Sequence, residues 1–264
     1  MAKVAIIQTN IKWADPIANQ QAVESALLAS KEVDLYVLPE MWDTGFMADE
    51  PIVKSQEPTS PSLEGLQRLA QKYNAAIAGS MAVREDDKLY NRLYFVTPED
   101  TFFYDKRHLF SYAGEDKTYT AGGETPVVIE WRGVRYLLQV CYDLRFPCFS
   151  RNKIQQPTAN SQQPRPLYDA AIYVANWPES RRRVWDILLQ ARAIENQCFV
   201  IGVNRVGDDP NCHYNGGSVV IDAKGKILAS VADDTAGIAT AELDMQSLHT
   251  FREKFPVLRD ADNL

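Results

Sequence analysis

The chain has 264 residues, 45% hydrophobic and 24% charged, with a net charge of −7 and a pI near 5.1. A chain of this length buries about 70–75% of its unfolded surface, so a large core needs no disulfide or metal staples. The acidic balance without a basic stripe excludes nucleic acid as an expected partner, and no apolar run reaches the ~20 residues of a membrane helix.

Met1 to Ile7 lacks the apolar region and cleavage site of a signal peptide. The four cysteines, Cys141, Cys148, Cys198 and Cys212, form neither a C-x-x-C pair nor a zinc spacing. Free thiols, no metal and a cytoplasmic location are the expectation.

Val4 to Thr9 reads as the first strand. Asp15-Pro16 opens a helix to about Ser30, with aspartate as cap and proline at the first helical position. Asp34 to Leu38 is a buried strand closing at Pro39-Glu40-Met41-Trp42. Ser60-Pro61 opens a second helix to about Tyr73 by the same cap logic. Ala75 to Ser80 is a strand, and Lys88 to Thr97 with Thr101 to Tyr104 form a hairpin. That hairpin delivers Tyr104-Asp105-Lys106-Arg107-His108 into a polar loop, where His108 is assigned no chemistry. Val127 to Trp131 and Val134 to Val140 make another hairpin, which ends at Cys141.

A short helix is expected after Pro147. Ile154 to Pro166 is polar and proline-rich and reads as an exposed loop within the domain. Ala170 to Ala175 is a strand ending at Asn176-Trp177-Pro178. Ser180 to Asn196 is a helix, with Val184, Ile187, Leu188, Ala191 and Ile194 at helical spacing. It begins with Arg181, Arg182 and Arg183, three cations that oppose the helix dipole; they read first as a solvated cluster, the other reading being a partner carboxylate or ligand. Phe199 to Asn204, the pair Gly216 to Asp222 and Ile227 to Val231, and Gly237 to Leu243 complete the strands. Asp244 starts a short helix ahead of the tail that ends at Leu264. About a dozen strands and four or five helices in one domain, 1–264, make an α/β protein of two packed sheets covered by helices. No internal repeat and no phosphate-binding glycine loop is present.

Glu40, Lys106 and Cys141 all fall at strand ends, where α/β sheets build sites. Singly they read as a loop carboxylate, a surface ammonium and a small buried hydrophobe. Jointly they complete one another. A thiol needs a base to take its proton, and a carboxylate desolvated enough to hold one can serve. The tetrahedral intermediate of acyl transfer needs a cation and a main-chain N–H, which Lys106 and Tyr142 can supply.

These stretches resemble the nitrilase, or carbon–nitrogen hydrolase, superfamily. Pro39-Glu40-Met41-Trp42, Tyr104 to His108 and Cys141-Tyr142-Asp143-Leu144-Arg145-Phe146-Pro147 are similar to its three catalytic motifs in order and spacing. Leu89 to Arg92, Ala175 to Pro178, Ala191 to Gln197, Gly202 to Gly207 and Gly216 to Ser218 extend the likeness along the chain. The resemblance implies a four-layer α-β-β-α sandwich, a homodimer or higher homo-oligomer formed through the helical layer, and hydrolysis of an amide or nitrile without metal or organic cofactor. It implies that Glu40 is general base and acid, that Lys106 stabilises the oxyanion, that Cys141 forms the thioester, and that Glu115 positions substrate and lysine.

Asp105 to Phe110, Cys141 to Pro147 and Arg252-Glu253-Lys254-Phe255-Pro256 are most similar to the ω-amidase branch. That branch implies cleavage of the terminal amide of 2-oxoglutaramate or 2-oxosuccinamate. The same chemistry on another amide, an N-carbamoyl amino acid or a nitrile is the alternative, and a non-catalytic binding module is the alternative of another class. A keto-acid substrate carries a carboxylate that needs a cation. Arg145 is the first candidate, its other reading being an ion pair with Asp143 or Glu179. Phe46, Tyr112, Tyr119, Phe146 and Trp177 are candidate walls of the site.

Overall fold

The computed structural model describes residues 1–30, 32–47, 60–156 and 164–261. The first half of the chain carries β1 (Ala2–Gln8), α1 (Pro16–Ala29), β2 (Leu35–Val37), α2 (Pro61–Tyr73), β3 (Ala76–Glu85), β4 (Lys88–Val96), β5 (Thr101–Asp105) and the single turn α3 (Glu115–Thr118). Both long helices start where cap chemistry directs. The Asp15 carboxylate accepts from Ala18 N–H and the Ser60 hydroxyl from Leu63 N–H, each ahead of a proline.

The second half carries β6 (Val128–Trp131), β7 (Val134–Val140), β8 (Ile154–Gln155), β9 (Arg165–Pro166), β10 (Ala170–Ala175), α4 (Arg182–Glu195) and β11 (Phe199–Asn204). It continues with β12 (Val206–Asp208), β13 (His213–Asn215), β14 (Val219–Ile221), β15 (Ile227–Ser230), β16 (Gly237–Leu243), α5 (Met245–Lys254) and α6 (Val257–Asp260).

The strands form two six-stranded sheets, ordered β16-β1-β2-β3-β4-β5 and β15-β14-β11-β10-β7-β6. Each has a parallel centre, β1-β2-β3 and β7-β10-β11, with antiparallel flanks. Side-chain alternation settles the layers. Val4 and Ile6 of β1 and Ile172 and Val174 of β10 meet between the sheets. Ala5 and Ile7 instead face α1 and α2, and Ala171 and Tyr173 face α4. Both faces of the central strands are therefore apolar, which is why they read as continuous hydrophobic runs. The result is the expected α-β-β-α sandwich. The carboxyl ends of β2, β5, β7 and β10 deliver Glu40, Lys106, Cys141 and Asn176.

Three local expectations change. No helix follows Pro147. The helical turn comes earlier, as a 3-10 segment Cys141–Arg145, and the following chain is held open by Asn152, whose amide bonds to the main chain of Tyr168 and Asn196. The ends of the polar loop pair as β8 and β9, while its middle, 157–163, lies outside the described residues, as do 262–264 of the tail. A polar hairpin, β12-β13, also folds where no strand is expected.

Candidate active site

Glu40, Lys106 and Glu115 are fully buried and bonded to one another. Lys106 Nζ donates to Glu40 Oε1 at 3.0 Å and to Glu115 Oε2 at 2.8 Å. Asn91 Nδ2 bridges the same two carboxylates, at 2.7 Å to Glu40 Oε1 and 3.0 Å to Glu115 Oε1. The other oxygen of Glu40 accepts from Asn176 N–H at 2.8 Å, and Asn176 Nδ2 donates back to the Glu40 carbonyl. The Cys141 thiol lies close enough to Glu40 for the carboxylate to act on it directly. The three residues expected to form the site are thus brought together, with Glu115 beside them.

Backbone geometry aims these groups. Met41, just after Glu40, and Cys141 both adopt left-handed φ, +44° and +46°, a conformation costly for side chains other than glycine. The turn at Cys141 is fixed by Asp143, which accepts from Val140 N–H, Tyr104 hydroxyl and His108 N–H. Tyr142 N–H lies in the first turn of that 3-10 segment, where main-chain donors have no intrahelical partner. Lys106 is clamped through its main chain. Its N–H donates to the Asn91 carbonyl and its carbonyl accepts from Gly122 N–H, each at 2.9 Å. A Cβ at Gly122 would stand 2.0 Å from the Asp105 carbonyl oxygen, so only glycine permits this approach.

The electrostatics follow. Burial disfavours the Lys106 ammonium, but the charges of Glu115 and Glu40 outweigh it and hold its pKa well above the usual lysine value. Burial raises the Glu115 carboxyl against the pull of Lys106. Burial, followed by the Glu40 charge, pushes the Cys141 thiol well up. Both effects favour the neutral thiol of Cys141 over the thiolate.

A cavity of about 430 Å³ opens over Cys141, Glu40 and Lys106. Phe46 and Tyr112 line it as expected, joined by Trp13, Phe110, Arg181 and, from the unexpected hairpin, Asp209 and Tyr214. A narrow annex of about 20 Å³ runs from Cys141 between Trp177, Arg145 and Arg181. Arg145 stands 5.1 Å over the Trp177 ring and makes no ion pair with any described acid. Phe146 and Tyr119 line neither space. Phe146 stacks on His108 at 3.8 Å between centroids, and Tyr119 donates to the Met47 carbonyl at 2.8 Å.

Sequence reasoning assigned no role to Asn91 or Asn176, although both stood in motif-like stretches and Asn176 occupies the same kind of strand end as Cys141. Asn204 acts one step further out. Its side chain accepts from Trp177 N–H and donates to the Trp177 and Gly216 carbonyls, holding the loop that feeds Glu40.

A thiol beside a buried carboxylate–ammonium pair, set at the strand ends of an α-β-β-α sandwich, places the protein among the hydrolases. The chain belongs to the carbon–nitrogen hydrolase family, which it matches over residues 3–253. It is 44% identical to an omega-amidase of Yersinia enterocolitica, across 98% of this chain and 96% of that one. It is 33% identical to the 2-oxoglutaramate amidase of Bacillus subtilis, across 97% and 96%. The crystal structure of a CN-hydrolase superfamily protein from Xanthomonas campestris, with an arsenic adduct in its active site, superposes with a TM-score of 0.94 at 37% identity, covering 100% of this chain and 98% of that chain.

Proposed function

We propose that the protein is an ω-amidase that hydrolyses the terminal amide of a short 2-oxo dicarboxylate monoamide, 2-oxoglutaramate or 2-oxosuccinamate. The observation that carries this reading is an intact nucleophile, base and oxyanion set at a small cavity beside two arginines, Arg145 and Arg181, that make no ion pair with an acid among the described residues. Likeness to named ω-amidases along nearly the whole chain supports it.

In this reading Cys141 passes its proton to Glu40 as sulfur attacks the amide carbon. Lys106 and Tyr142 N–H hold the oxyanion. Glu40 then protonates the departing ammonia, leaving the thioester. Glu40 next removes a proton from water, which cleaves the thioester to the carboxylate and restores the thiol. Glu115 keeps Lys106 aimed throughout, and Asn91 keeps the two carboxylates apart.

Exposed Ile187 and Ile194 on α4 and Phe255 after α5 support a homodimer through this helical face. Four free cysteines support a cytoplasmic setting.

The test is ammonia release from 2-oxoglutaramate, butyramide, an N-carbamoyl amino acid and a simple nitrile, with Cys141→Ala as the blank. The expected outcome is a strong preference for the keto-acid amide, with turnover abolished and folding retained in the variant. Activity confined to another member of the panel would discard the ω-amidase reading and keep the thioester chemistry. Turnover that survives in Cys141→Ala would discard the nucleophile.

A further inference from the structure

We infer that Arg181, at the start of α4, binds the substrate carboxylate and sets the preference for keto-acid amides. This deepens the ω-amidase reading and rests on it. The three consecutive arginines are not equivalent. Arg182 spends its charge on Asp186 and Asp233, each at 2.8 Å, and Arg183 is exposed. Arg181 makes no ion pair with any described acid and faces the catalytic space. It lines both the main cavity and the annex, as Cys141 and Asn176 do, whereas Arg145 touches the annex alone.

The charge balance of the cavity calls for this cation. Glu40 and Glu115 share one ammonium, Lys106. Asp209, which also lines the cavity, brings a further carboxylate, already engaged by Asn211 N–H, Cys212 N–H and the Tyr214 hydroxyl. Without Arg181 the groups facing the cavity carry excess negative charge, which repels an anionic substrate through a partly desolvated space. Arg181 also stands as the N-cap of α4, where a cation opposes the helix dipole. A bound carboxylate would relieve that conflict.

The guanidinium is presented rather than loose. It lies 5.3 Å over the Phe110 ring, an arrangement that leaves its N–H edges free for a two-pronged contact with a carboxylate. Its own carbonyl accepts from Trp177 Nε1 at 2.9 Å. Phe110 N–H donates to Glu115 Oε2 at 2.6 Å, so the anchoring cation and the oxyanion cation are both registered against Glu115. Substrate length can then be measured between Cys141 and Arg181.

The experiment compares the wild-type protein with Arg181→Gln, Arg181→Lys and Arg145→Gln on 2-oxoglutaramate and on butyramide. A second readout follows protection of Cys141 from iodoacetamide by the carboxylate product, 2-oxoglutarate. Arg181→Gln is expected to lower kcat/KM for the keto-acid amide by about 10–100-fold, mainly through KM, as for a lost hydrogen bond to a charged group. Butyramide should change by less than about threefold on the same ground, since no charged contact is lost. Arg181→Lys should recover part of the loss and, if Arg181→Gln does not fold, carries the comparison with a smaller difference. Equal losses on both amides, or a loss confined to Arg145→Gln, would overturn the inference. Lack of a wild-type preference for the keto-acid amide would overturn the ω-amidase reading instead. In that case, protection by 2-oxoglutarate that vanishes in Arg181→Gln still upholds the anchor, and protection that persists overturns it.

Discussion

Two buried ionic clusters in this protein use the same ingredients in opposite proportion. At the catalytic end, two carboxylates, Glu40 and Glu115, surround one ammonium. At the other, two guanidiniums, Arg135 and Arg252, clamp one carboxylate, Asp169, at 2.7–2.8 Å. The remaining donors of that pair end on carbonyls. Arg252 bonds to Gln197 and Tyr168, and Arg135 to Pro166. Both clusters border a cavity, of about 430 Å³ and about 360 Å³, but the catalytic one leaves the buried side-chain amide oxygens of Asn91 and Asn176 without a hydrogen-bond partner among the described residues. A fully paired cluster ties elements together, here α5 to the loop before β10. An incompletely paired one keeps bonding capacity for a transition state.

The largest expected effect breaks the catalytic half of this contrast. Lys106→Met removes the cation shared by Glu40 and Glu115 and should lower kcat by about 10²–10³-fold or more, the range for a lost oxyanion donor. A fall of less than tenfold in steady-state ammonia release would leave oxyanion stabilisation to Tyr142 N–H alone.

Arg252→Ala addresses the structural half and should spare the chemistry. It strips one of two cations from a buried carboxylate, which costs about 3 kcal/mol at the low end for broken buried pairs. For a chain this long that is roughly 6–12 °C in Tm. Burial opposes ionisation of Asp169, yet Arg135 and Arg252 hold its pKa below the usual value. Its contribution is therefore complete above the unfolded pKa of about 3.9 and is lost as pH falls through the lowered folded value. Arg252→Ala should shift the acid-unfolding midpoint to higher pH. An unchanged midpoint in a circular-dichroism titration would remove Asp169 from the acid response.

The smallest effect concerns the hairpin that carries Asp209 and Tyr214. His213, on β13, bonds Asp208 at 2.8 Å and Asp234 at 3.2 Å, and these two partners raise its pKa. The tether is complete below the unfolded histidine pKa of about 6.5 and is lost as pH rises through the raised folded value. Amides of β12 and β13 should exchange faster above that window than below it in the wild-type protein, and at one pH-corrected rate in His213→Ala. A wild-type protection that does not change with pH would rule out the tether.

Much of this was readable in advance, for identifiable reasons. Asp15-Pro16 and Ser60-Pro61 start helices because capping is a contact between neighbours. Ala170 to Ala175 and Phe199 to Asn204 are strands as read, because residues buried on both faces leave unbroken apolar runs. The hairpin β12-β13 was invisible because no apolar alternation announces it, although Asp208 and Asp209 bond locally to His213 and Tyr214. It is pinned by the buried Arg205, which donates to the carbonyls of Ile11 and Asp208 and lies 4.6 Å from the Tyr214 ring. The helix expected after Pro147 gave way to long-range bonds from Asn152. Arg145 is the expected anchor for its closeness in sequence to Cys141, a measure that says nothing of Arg181, which lines the same annex from beyond β10.

The amino-acid sequence by itself determined the alternation of strands and helices, the strand-end positions of Glu40, Lys106 and Cys141, and the chemistry those three can share, since each depends on residue type and near-neighbour spacing. Tertiary structure alone decided that Asn91 and Asn176 bond to the Glu40 carboxylate and that Arg181 rather than Arg182 faces the cavity. Those outcomes depend on how two sheets and their loops converge from segments far apart in the chain (Glu40 is separated by 51 residues from Asn91 and by 136 from Asn176). No local pattern encodes a distance of that kind.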